Sequence, residues 1–177
     1  MASKLFKVLK ETDTLHAVFI CNLRSANNEA KVAARNIESI VCVMKVDQKD
    51  YKCRKFVKNP DNDLLICPVE NLENSDISRF FFTAAKFIHN KRKTGNVLVH
   101  CDGLELSRSS SIILAYLIIC EGYLYKLAFE LLQKKYQFAQ PNFGFKTQLL
   151  ELEKFKQINF SVTEKEHEPD YSDMQEL

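Results

Sequence analysis

No apolar run in this 177-residue chain approaches the roughly 20 residues that a membrane-spanning helix needs; the longest, Ile112 to Cys120, falls far short. The N-terminus, Met-Ala-Ser-Lys-Leu-Phe-Lys, lacks the apolar stretch of a secretory signal. Neither a membrane nor an export route is expected. The cysteines Cys21, Cys42, Cys53, Cys67, Cys101 and Cys120 form no C-x-x-C pair, and His16, His89 and His167 have no ligand spacing, so no metal site is expected. No cofactor fingerprint, nucleic-acid module or internal repeat is visible. Six thiols without a disulfide pattern fit a reducing compartment, and the expected location is cytoplasmic and/or nuclear.

Charge is unevenly placed. The formal net charge is +2, yet Ser161 to Leu177 holds six acids (Glu164, Glu166, Glu168, Asp170, Asp173, Glu176) against Lys165. Residues 1–160 carry 24 of the 25 basic side chains and 17 of the 23 acidic ones, a surplus of +7 against −5 in the tail. The composition predicts an N-terminal extension (1–11), one folded domain (12–160) and an acidic, disordered tail (161–177). That asymmetry permits the tail to fold back over a basic face. Tyr171 has acidic neighbours of the kind tyrosine kinases accept, although a solubilising end explains the same residues. Periodicity predicts strands near 17–21, 40–44, 64–69 and 96–100, and helices near 27–35, 77–92, 108–121, 124–136 and 142–158. Alternating strands and helices imply an α/β architecture. Lys45 to Asp63 is charged and reads as a surface excursion. Phe80-Phe81-Phe82 reads as a helix start packed on the sheet, and Lys91-Arg92-Lys93 as a solvated helix C-terminus, where cations complement the dipole.

The most informative run is Val97-Leu98-Val99-His100-Cys101-Asp102-Gly103-Leu104-Glu105-Leu106-Ser107-Arg108-Ser109. A β-branched strand feeds a short loop, and the loop opens an apolar helix. Such a helix start offers unpaired N–H groups and positive dipole charge to an anion. Arg108 would add a guanidinium fork that matches two phosphoryl oxygens. Cys101 would sit below the same point, where the dipole, Arg108 and His100 favour a nucleophilic thiolate, with Ser109 in reach of the sulfur.

The run resembles the signature loop of cysteine-dependent protein phosphatases, most closely the small dual-specificity branch acting on phosphotyrosine, phosphoserine and phosphothreonine. Leu106-Ser107-Arg108-Ser109 with Ile112-Ile113-Leu114-Ala115-Tyr116-Leu117 resembles that family's helix after the loop. Gln140-Pro141-Asn142-Phe143-Gly144-Phe145 with Gln148-Leu149 resembles the start of its last helix, and Leu15 to Leu23 its first strand. The resemblance spans roughly residues 12 to 157. It implies a central twisted, mostly parallel sheet with helices on both faces. It also implies a phosphate loop made of Cys101, Asp102, Gly103, Leu104, Glu105, Leu106, Ser107 and Arg108, and a phosphorylated protein or protein kinase as partner.

Three departures bear on activity. The family separates its cysteine and arginine by five residues; here there are six, and the extra one lies among Asp102, Gly103, Leu104 and Glu105. Glu105 stands where the family has a glycine, and a carboxylate about 5 Å from a phosphate charge costs roughly 3 kcal/mol at an effective dielectric near 20. Its side chain either enters the site or swings to solvent. Asn71 occupies the family's general-acid position, and an amide cannot protonate a leaving oxygen; Glu70 or Glu73 is near enough to substitute. Two readings follow. The preferred one is an inert or very weakly active pseudophosphatase that binds phosphoprotein. The alternative is an active enzyme with Cys101 as nucleophile, Arg108 holding the phosphoryl group and Ser109 aiding departure of the thiolate.

Overall fold

The computed structural model describes residues 4–103 and 105–163, with side chains as far as Gln157. Leu104, His167, Tyr171 and the acidic segment from residue 164 lie outside the described residues. Five strands form one sheet: β1 (Phe6–Leu9), β2 (Val18–Asn22), β3 (Ile37–Cys42), β4 (Leu64–Ile66) and β5 (Asn96–Cys101). Their order is β1-β2-β5-β3-β4. Every pairing is parallel except that of β1 with β2. β2 and β5 are buried and mostly apolar along their length because both of their faces are covered, and β3 is buried at every residue but Glu38.

The period of two along each strand sorts side chains into two cores. Val18, Ile20, Val97, Val99 and Cys101 face a layer formed by α4 (Phe81–Arg92), α5 (Ser107–Cys120), α6 (Tyr125–Lys135) and α7 (Phe143–Thr163). Phe19, Cys21, Ile40, Cys42 and Leu98 face a thinner layer that includes Ala26 of α1 (Leu23–Ala26) and Val32 of α2 (Glu29–Ala33). The remaining helix, α3 (Pro60–Asp63), leads directly into β4. Helix α5 is the central one, with every residue from Ser107 to Ile118 buried. This agrees with the expected mostly parallel sheet between helical layers.

Several local expectations are corrected. The helix expected over 27–35 is the shorter α2, whose cap Asn28 accepts from Lys31 N–H (3.1 Å), and a separate turn, α1, precedes it with Asn22 accepting from Ser25 N–H (3.0 Å). The expected N-terminal extension over residues 1–11 contains a strand, β1, in which Val8 is buried, with the buried Leu5 just before it. The last helix runs to Thr163, three residues into the segment set apart as tail. Lys45 to Asp63 is no simple surface excursion, because Tyr51, Cys53 and Val57 fill the second core. Phe81 of the aromatic triplet is buried, whereas Phe82 is exposed. Arg92 is buried rather than solvated. Its Nε donates to His16 O (2.6 Å), Nη1 to Tyr116 Oη (2.6 Å) and Glu121 (3.1 Å), and Nη2 to Lys10 O (3.1 Å), which ties the β1–β2 connection to α4 and α5. No helix among the described residues is long and apolar enough to cross a membrane.

Candidate functional site

Strand β5 delivers Cys101 to the carboxyl edge of the sheet, beside Asn22 of β2. Six residues later the chain enters α5. Its N-cap, Leu106, has φ +50°, a left-handed conformation unusual for a branched side chain. Complete burial of that side chain holds the turn in place. Ser110 N–H then bonds Leu106 O at 2.7 Å, so the helix starts immediately behind the loop. Ser107, Arg108 and Ser109 thus occupy the first turn, where backbone N–H groups and the dipole favour an anion.

Cys101 is buried, with Sγ 3.3 Å from Ser109 Oγ. Ser109 Oγ also donates to Leu106 O at 3.1 Å. A serine hydroxyl has one proton, so with that proton on the Leu106 carbonyl the bridge to Cys101 requires the thiol to donate its own. Ser109 stabilises a departing thiolate only after releasing Leu106. His100 contributes no positive charge here: complete burial lowers its pKa to about 4 and keeps it neutral. This corrects the expectation that His100 favours the thiolate. Tyr51, whose burial raises its pKa strongly, retains its proton and hydrogen-bonds His100 Nε2. The two rings lie stacked at 5.7 Å.

The guanidinium of Arg108 is buried but not free. Nη1 donates to Val69 O at 3.2 Å, and Nη2 is hydrogen-bonded and ion-paired with the carboxylate of Asp102. Arg108 Nε is buried with no partner among the described residues. Asp102, inside the loop itself, therefore holds part of the fork that a phosphoryl group would use. Glu105, the carboxylate singled out from sequence, is exposed; its backbone carbonyl accepts from Gln140 N–H at 3.3 Å. A Cβ at Gly103 would meet nothing within 4 Å, so the one glycine of the loop is not a point of close protein approach.

Asn71 lies over this edge and is exposed. Its Oδ1 accepts from Asn142 Nδ2 at 3.2 Å. Asn142 also donates its backbone N–H to Ser107 Oγ (2.9 Å) and caps α7 through Phe145 N–H (2.9 Å). The Asn71 loop, the loop-helix junction and α7 are thereby linked through one side chain. Neither suggested substitute acid fits the role equally. Glu70 is ion-paired with Lys45 at 2.7 Å, and that hydrogen bond lowers its pKa, so it is ionised and has no proton to give. Glu73 is exposed, and its carbonyl faces Gly144 at the start of α7. Among the described residues, no group of three metal-ligating side chains comes together.

Sequence reasoning missed Tyr51, the Val69 carbonyl and Asp102 as partners of the motif residues. None carries a sequence signal, since each reaches the site through loop geometry rather than periodic spacing. Asn142 lies in the run that resembles the start of the family's last helix, and its part in the site rests on tertiary contacts that sequence spacing does not carry.

A thiol at the end of a central parallel strand, an arginine in the first turn of the following helix and the layered sheet define the cysteine-dependent phosphatase class. The model of the dual specificity phosphatase catalytic domain matches residues 18–155, and the chain belongs to that family. MAP kinase phosphatase with leucine-rich repeats protein 3 of Dictyostelium discoideum is 32% identical over 142 residues, which is 80% of this chain and 16% of that protein. Human dual specificity protein phosphatase 5 is 42% identical over 87 residues, 49% of this chain and 22% of that protein. The chain thus spans about a sixth to a fifth of the length of these curated relatives. Among solved structures, human DUSP28 has a TM-score of 0.70 at 22% identity, covering 86% of this chain and 95% of that one. Human tyrosine phosphatase-like serine/threonine/tyrosine-interacting protein has a TM-score of 0.68 at 24% identity, covering 90% and 99%. These two likenesses concern the fold alone.

Proposed function

We propose that this chain is a phosphoprotein-recognising member of the family with little or no hydrolytic activity. The observation that carries the reading is the Asp102–Arg108 pair, which places an internal carboxylate on the guanidinium meant for the phosphoryl group. Phosphoryl transfer depends on positioning and on donors aimed at the equatorial oxygens, so occupying the fork removes much of what the loop can supply. Asn71 at the acid position and the ionised Glu70 point the same way. Binding remains chemically reasonable because Arg108 Nε, buried at the helix start, has no partner among the described residues. Phosphorylated tyrosine, serine or threonine in a protein, or a phosphorylated kinase, is the ligand class that the family implies. The six free thiols support a reducing cytoplasmic or nuclear setting.

A second reading, an active phosphatase, is favoured by the Cys101–Ser109 contact and by the same Nε donor, which has no partner among the described residues. Hydrolysis of a small aryl phosphate, with Cys101→Ser as control, decides between the two. Turnover equal to that of Cys101→Ser is the expected result. Turnover that vanishes in Cys101→Ser would establish the enzyme and reject the inert reading.

A further inference from the structure

A second charged cavity lies away from the Cys101–Arg108 loop and shares no residue with it. It is an open depression of about 250 Å³ beside the β1 edge of the sheet, lined by the exposed Lys4, Lys7 and Arg35 and the half-buried Lys135, with Phe6 and Phe19 among its apolar walls. No carboxylate lines it. The cations come from four places: the approach to β1, β1 itself, the turn after α2 and the last turn of α6. Lys4 Nζ is 5.1 Å from the Phe6 ring centroid, while Lys7 Nζ and Arg35 Cζ are 5.7 and 6.0 Å from that of Phe19. One ring therefore holds two like charges in the same neighbourhood.

Lys135 is explained by the dipole of α6 and by a separate depression that it shares with Glu11, Asp13 and Glu121, and Lys7 is balanced by Glu11 at 2.7 Å. Neither account covers Lys4 and Arg35, which have no ion pair among the described residues. The exposed charges of Lys4 and Arg35 have no counter-charge among the described residues, and an anionic ligand would supply one.

We infer that this cavity is a docking site for an extended acidic segment of a protein partner, one presenting two or more Asp or Glu side chains. Three of the four cations are lysines, point charges on flexible stems, and they are spread over two rings. A dedicated phosphate site would favour convergent arginine forks. The ring faces are already taken by cations, which argues against stacking of nucleobases. The volume suits a few carboxylate side chains better than a drug-sized ligand. The site is distinct from the proposed phosphoprotein site, so the two stand or fall separately.

The test is fluorescence anisotropy of a labelled deca-glutamate peptide with the full chain. Binding is expected to weaken steeply from low to physiological salt. It should fall by at least about tenfold in Arg35→Glu/Lys135→Glu. Lys86→Glu/Lys93→Glu carries the same charge change on exposed residues outside the cavity and should retain most of the binding. Circular dichroism verifies that both variants fold. Arg108→Ala, which disables the other site, should leave peptide binding unchanged. Equal losses in the two double variants would reduce the effect to net charge and overturn the proposal. So would displacement of the peptide by inorganic phosphate at matched ionic strength. Carbodiimide cross-links from the carboxylates of residues 164–176 to Lys4 or Lys135 within one chain would make the chain's own acidic segment the occupant, and would equally overturn assignment to a partner.

Discussion

Asp102 and Glu105 are both carboxylates of the same loop, and only their side-chain directions give them different consequences. The Glu105 carbonyl is held by Gln140 N–H and its side chain faces solvent, while Asp102 turns back onto Arg108. A phosphate charge about 5 Å from Asp102 would meet a repulsion of roughly 3 kcal/mol at an effective dielectric of 20. Half of the Asp102 side chain is exposed, so solvent screening reduces this considerably. Replacing Asp102 by Asn should therefore tighten inorganic phosphate binding by about tenfold, the equivalent of about 1.4 kcal/mol. Isothermal titration of phosphate into the wild type and Asp102→Asn checks this, and equal affinities would mean that Asp102 does not guard Arg108. The sequence drew attention to Glu105 because it stands where the family has glycine. It could not single out Asp102, since a six-residue separation across a loop has no periodicity that brings two side chains together.

At the scale of elements, the loop bearing Asn71 and the start of α7 run side by side. Asn71 bonds Asn142, and two residues further on a Cβ at Gly144 would lie 1.8 Å from Glu73 O. Glycine is required there by close backbone approach rather than by a special φ. Gly144→Ala must push the two segments apart, costing about 1–3 kcal/mol as an overpacked contact, and should break the Asn71–Asn142 bond as well. Urea denaturation measures the first effect, and a shift of the Asn142 side-chain amide resonances in NMR the second. A variant as stable as the wild type would show that the segments separate freely. The main elements were legible because β2, β5 and the Ile40–Cys42 end of β3 read as buried apolar runs, and because α4 to α7 have helical length and spacing. What escaped detection was short or tertiary in origin. β1 has four residues and gains its order by pairing with β2, α1 and α2 are short and each begins at an asparagine cap, and the order of the 45–63 segment comes from Tyr51 packing under His100. The candidate site divides similarly: the Cys101, Ser109 and Arg108 positions follow from the motif, whereas the partners of Arg108 follow from the folded loop.

Across the whole molecule, buried titratable groups set a stability plateau with two falling limbs. On the acid side, His100 is held at about 4 against an ordinary 6.5. Between these values the unfolded chain binds a proton that the folded chain does not, so stability drops as pH falls from 6.5 towards 4, by up to about 1.4 kcal/mol per pH unit for this one group. The lowered carboxylates of Glu11, Glu70 and Asp76 act in the same direction at lower pH, since each loses a favourable contact on protonation. On the alkaline side, burial raises Cys42 and Cys67 from 9.0 to about 12 and raises Cys21 further. Their protonated forms suit the folded state, so stability present below pH 9 is lost as pH rises from 9 towards 12, where unfolded thiols ionise and buried ones do not. Urea midpoints measured across pH should accordingly be level between about 6.5 and 9 and fall on both sides. The imidazole C2–H resonance of His100, followed by NMR, should remain that of the neutral ring down to the onset of acid unfolding. An imidazolium shift at pH 6 in the folded protein would place His100 in contact with water or a counter-charge. It would also restore a cation beside Cys101, and with it the case for a thiolate nucleophile.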